Sequence, residues 1–162
     1  MRNVSPVALL AGLLAVAGIV GGVLFMQRGA HLELKGAILK VRTHPLDEAS
    51  SLAVVDFRFA NDSNYPFVVK EVRVSIVDAA GQPLEGAIVA EMDAERIFKY
   101  YPQIGQKFNA SLTPRTKIAG RSTEDRMISA RFEIPEEKLV ARKSLTVRIE
   151  DVDGPVSELK IP

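Results

Sequence analysis

The sequence predicts an all-β protein: a two-sheet antiparallel sandwich with a short helical insertion, preceded by one transmembrane α-helix. Three observations carry this. Pro6 to Met26 holds no charged residue, and the first acidic residue of the chain is Glu33. Seven short runs further on alternate apolar and polar residues with period two, the signature of half-buried strands. One stretch, Asp93 to Tyr101, breaks that period and follows a helical one.

An α-helix rises about 1.5 Å per residue, so an apolar run of about 20 residues matches a hydrocarbon core about 30 Å thick. Inside that core every backbone polar group needs an internal partner, which selects the helix. Pro6 falls in the first turn, where its missing N–H costs nothing. A cleaved signal peptide is the competing reading. It calls for a shorter apolar run and small residues before the cut, whereas this run is long and its polar boundary is Arg28-Gly29-Ala30. A retained anchor is favoured, and with no cysteine in the chain a lipoprotein is excluded.

The reading divides the chain into a tail at 1–5, a membrane helix at 6–26, a juxtamembrane link at 27–31 and a sandwich domain at 32–162. Ala8, Ala11, Ala15, Gly18 and Gly22 recur at a 3-4-3-4 spacing along one helix face. Such a small-residue stripe lets a second helix approach closely, although small residues are also simply common in membrane helices. The expected partners are therefore the lipid bilayer and other transmembrane helices or membrane-complex subunits. Arg2 favours an inside N-terminus, while Arg28, Lys35, Lys40 and Arg42 favour the reverse. Long domains are translocated largely regardless of charge, so the C-terminal domain is expected outside, periplasmic or extracellular.

The first thirty residues hold two of the 21 basic residues and none of the 20 acidic ones. The remainder is close to neutral, which leaves no electrostatic footprint for nucleic acid. With no cysteine, disulfides, thiolate metal sites and cysteine nucleophiles are excluded.

Strand signals follow in order. Leu32 to Thr43 is interrupted by Gly36 and ends at His44-Pro45. In Leu52 to Asn61, Val55, Phe57 and Phe59 face one way and Asp56 and Arg58 the other. Turn formers at 61–66 lead to Phe67–Asp78, where Val72, Val74 and Ile76 face inward. A turn at 79–83 leads to Leu84–Ala90. Arg126 to Ile134 alternates again, and Pro135 opens one helical turn. Leu145–Glu150 and Val156–Ile161 form a final hairpin around Asp153-Gly154. Strands that follow one another without crossover helices argue against a parallel α/β fold.

The insertion at 93–101 reads as a helix with Asp93 as N-cap and Pro102 as stop. Ala94, Ile97, Phe98 and Tyr101 form its apolar stripe. Tyr100 falls on another side, and Phe108 lies in the irregular stretch beyond. Those two are the candidate partner contacts, because aromatic residues are enriched where proteins bind. The competing expectation is that the segment plugs an open end of the sheets.

Phe57, Phe59 and Asn61, then Pro66, the Val72-Val74-Ile76 strand and the Gly81…Leu84…Gly86 turn, resemble the late-embryogenesis-abundant, water-stress type of β-sandwich domain. They also resemble fibronectin-like domains on bacterial membrane anchors. The likeness covers 52–86. It implies an immunoglobulin-like sandwich and no catalytic residues, and the helical insertion departs from it.

No chemistry-bearing motif emerges. His31 and His44 are the two histidines. G-x-S-x-G, H-E-x-x-H, P-loop and G-x-G-x-x-G patterns are absent. An EF-hand loop counted from Asp151 would put Pro155 and Pro162 at ligand positions, so the acidic cluster there is read as a solvated turn. Asn61-Asp62-Ser63 and Asn109-Ala110-Ser111 match the N-glycosylation acceptor pattern, which is frequent by chance. No catalytic residue, cofactor or metal is expected. The function expected is a non-catalytic structural or interaction subunit, the alternative a tethered module for a small or lipidic ligand.

Overall fold

The computed structural model describes residues 6–27 and 33–162, with side chains for 12–22 of the first segment and all of the second. The chain divides into two compact units, Met1–His31 and Leu32–Pro162. The tail at 1–5, most of the link at 27–31, and His31 lie outside the described residues.

In the first unit, α1 spans Pro6–Gln27. The segment expected as an anchor is therefore helical. Its transmembrane character is not established: among the described residues no helix is long and apolar enough to cross a membrane.

The second unit is mostly antiparallel β-structure. Its strands are β1 (Lys35–Pro45), β2 (Ser51–Asn61), β3 (Phe67–Val77), β4 (Pro83–Ile88), β5 (Lys117–Ile118), β6 (Ser122–Phe132), β7 (Ser144–Asp151) and β8 (Val156–Ile161). Two short helices, α2 (Glu91–Tyr100) and α3 (Glu136–Val140), interrupt them, and a 3₁₀ turn at Pro102–Ile104 follows α2. The ladder runs β1-β2-β6-β4-β3-β7-β8, with β5 added to β3.

Two separate sheets were expected, but the ladder is continuous because β4 changes partner. Pro83 to Gly86 pair with β3, and Ala87 and Ile88 pair with β6. Gly86 permits the crossing, since a Cβ there would lie 2.7 Å from the Phe132 ring. The two ends of the path return beside each other, where the Leu34 N–H donates to Ser157 Oγ at 2.7 Å. The sheet is thus nearly closed into a barrel.

The main core lies within that curve. Val55, Phe57 and Phe59 of β2, Val74 and Ile76 of β3, Ile128 and Phe132 of β6, and Val147 and Ile149 of β7 are all essentially inaccessible. Those of β2, β3 and β6 are the inward positions read from alternation. A second, smaller cluster lies on the opposite face of β2 and β6. Leu52, Val54 and Met127 are buried there with Ile104, under Ile97, Phe98 and Tyr101.

Candidate functional site

The outer face of β1, β2 and β6 is where the fold departs most from a plain sandwich. The chain leaves β4 at Val89, whose N–H donates to the Ser129 carbonyl at 2.9 Å. It returns at 110–112, where Met127 N–H donates to Ala110 O at 3.1 Å and Leu112 N–H donates to Met127 O at 2.8 Å. Both ends of the excursion are therefore fixed to β6 two residues apart, and everything between them lies over the sheet as a third layer. The expected plug at an open end is instead a cover on a face.

α2 begins at Glu91, two residues earlier than expected. Ala90 is its N-cap and offers no side-chain bond, while Asp93 lies in the first turn and pairs with Arg96 at 3.2 Å. The predicted stripe holds: Ala94 is buried, and Ile97, Phe98 and Tyr101 pack into the second cluster. Tyr101 also packs against His44 of β1, with ring centroids 4.7 Å apart and the planes tilted by 54°, so His44 is a packing residue of this layer.

At the centre of the layer Arg42 of β1 meets Asp56 of β2. Arg42 Nη2 donates to Asp56 Oδ2 at 2.7 Å, and the two side chains are only 8% and 7% exposed. Arg42 Nη1 donates to the carbonyls of Ile104 at 2.9 Å and Gln106 at 2.8 Å. Asn109 Nδ2 donates to the remaining Asp56 oxygen at 3.1 Å. The guanidinium carbon lies 5.2 Å from the Phe98 ring centroid and 5.6 Å from that of Phe108. A flat delocalised cation suits both the forked bonding and the ring faces. Asp56, read as facing away from Val55 and Phe57, does point outward, but under the third layer.

A second ion pair closes the layer, joining Lys107 to Glu91, with Glu95 at 3.7 Å from the same ammonium. Burial pushes the Glu91 carboxyl up; Lys107, with Ser111 close by, outweighs it and leaves the group below its ordinary value. Arg42 Nε, Glu91 Oε2, Ser111 Oγ and Ser129 Oγ are buried without a well-formed hydrogen bond.

Tyr100 is 73% exposed and Phe108 is 65% exposed. The structure does not merge them into one role, because Phe108 is tied to Arg42 and Tyr100 lies outside the second cluster. In α1, Ala15, Gly18 and Gly22 are exposed, and among the described residues nothing lies within 4 Å of a Cβ built at either glycine. The side chains of Ala8 and Ala11 lie outside the described residues.

Both glycosylation patterns are occupied structurally. Asn61 is buried and donates to Tyr65 O at 2.8 Å while accepting from Ser63, and Asn109 is committed to Asp56. Asp151, read as part of a solvated turn, is buried. Its carboxylate accepts the backbone N–H of Val68 and of Asp153, each at 2.8 Å. Among the described residues no cluster of three His, Asp or Glu side chains is placed to hold a metal ion. Hollows of about 450 Å³, beside Asp47, Glu48 and Glu136, and of about 350 Å³, beside Ala79 and Lys138, open on the surface.

No protein-family model and no curated protein matches the chain. Among solved structures it is similar to an uncharacterized beta-sandwich protein from Clostridium difficile 630. That match has 9% identity and a TM-score of 0.42, over 80% of this chain and 86% of that one. It is also similar to the archaellum periplasmic stator protein FlaG from Sulfolobus acidocaldarius, with 10% identity and a TM-score of 0.34 over 79% and 99% of the two chains. The Iho670 flagellar-like filament matches at 12% identity and a TM-score of 0.36, over 98% of each chain.

Proposed function

We propose that the chain is a non-catalytic, single-pass membrane protein whose β unit serves as a structural or interaction subunit of a larger membrane assembly. The observation that carries this is the division into a 22-residue helix free of charged residues and a separate β unit with its own core. A helix apolar on all sides has no water-facing side and is at home in lipid or against other helices. The β unit takes the immunoglobulin-like arrangement in this reading, and the strand order, with β4 shared between halves, fits it. The domain lies outside the cytoplasm, and the small-residue face of α1 receives a partner helix.

Membrane extraction tests the anchor. The full chain should stay in the membrane fraction through alkaline carbonate and be released by mild detergent; release by carbonate alone overturns it. Replacing Ala15 and Gly18 by Leu keeps the segment apolar but blocks close approach, so co-purifying subunits should be lost while membrane retention survives. Unchanged co-purification would remove the partner-helix role from the stripe.

A further inference from the structure

We infer that residues 90–109 form a hinged cover that opens as a unit from the outer face of β2 and β6 while the main core stays folded. Three observations converge on this. The cover's two ends are held by Ser129 and Met127 of β6, so it can lift without unpairing either end. Its polar attachment to the sheet is local, with Asn109 on Asp56 and the Ile104 and Gln106 carbonyls on Arg42, while the Lys107–Glu91 pair lies within the cover itself. Four buried polar atoms without well-formed bonds, on Arg42, Glu91, Ser111 and Ser129, gather in this one layer. A buried polar atom left unpaired costs free energy that opening to water recovers.

The apolar counterweight is small. Leu52, Val54, Ile104 and Met127 are its four buried members, with Ile97, Phe98 and Tyr101 partly buried over them, against 21 buried residues in the main core. α2 itself has no side-chain cap at its N-terminus, and a ten-residue helix has little stability of its own. Regions with few buried contacts open at lower free energy than the global transition. When the cover lifts, Leu52, Val54 and Met127 reach solvent. The surface this protein presents therefore has two states.

Hydrogen exchange read by mass spectrometry, on the full chain in detergent micelles, tests the cover. In the unmodified protein the α2 amides should exchange at least about tenfold faster than those of β2 and β6. Their rates should hardly change with low denaturant, as local opening exposes little surface. Asp56→Asn, which leaves Arg42 without its counter-charge, should speed α2 exchange further and leave β3 and β7 unchanged. Rates and denaturant slopes for α2 that coincide with those of β2 and β6 would overturn the inference. So would an Asp56→Asn effect spread evenly over all strands.

Discussion

Arg42 commits its guanidinium to three segments at once: Asp56 on the neighbouring strand, the carbonyls of Ile104 and Gln106, and the rings of Phe98 and Phe108. Removing one partner of a buried ion pair leaves the other charge uncompensated, which costs about 3–5 kcal/mol. Arg42→Met should therefore lower stability by that order in chemical denaturation, and Asp56→Leu added to it should recover a large part. A loss below about 1 kcal/mol would mean that water already satisfies the pair. The exposed aromatics behave differently. Tyr100→Ala should change stability by under about 0.5 kcal/mol, as expected for a surface site. Phe108→Ala should lose about 0.5–1 kcal/mol, the value of its contact with the Arg42 cation. A buried plug would have cost about 3–5 kcal/mol at either residue. The helical stripe made Phe98 legible in the sequence, but the Arg42–Asp56 centre was not, since alternation places Asp56 on the outer face and has no means of reporting a layer above it.

At the scale of elements, the strands were read correctly wherever one face meets the main core, because burial on one side enforces period two. What escaped was structure without that pattern. β5 has two residues, and the 110–112 contact with β6 is a single parallel bridge. α2 starts at an alanine cap that no residue preference signals. Gly36, read as an interruption in β1, turns out to be a contact requirement. A Cβ at that position would lie 2.1 Å from the Arg58 carbonyl oxygen. Gly36→Ala must push β1 away from β2, and a cost of about 1–3 kcal/mol is expected from overpacking. The cover should also respond to pH. Glu91 has a folded pKa below its ordinary value, so it favours the closed cover above the unfolded-state value of about 4.3. That contribution fades as pH falls through the lower folded value. Exchange of the α2 amides, corrected for intrinsic rates, should accelerate through this acid range; an acceleration on raising pH from 5 to 8 would reverse the assignment.

For the molecule as a whole, the decisive question is whether the β unit needs α1 to fold. Its core residues all come from 34–159, and its sheet path begins and ends within 35–161. With no cysteine in the chain, no covalent staple is available. A domain of this size buries close to 70% of the surface its unfolded chain exposes, enough for independent stability. Residues 33–162 produced alone should therefore be soluble, with β-dominated circular dichroism and one cooperative melting transition in water. Restoring the first 32 residues should add a helical component and a requirement for detergent, and leave that transition within a few degrees. A shortened chain that aggregates, or whose melting is broad and helix-like, would mean that the β unit depends on the helical segment. The division into an anchor and an independent domain would then fail. A sharp transition shared by both chains would show the division of labour proposed here: α1 decides where the protein sits, and the β unit, with its cover, decides what it meets there.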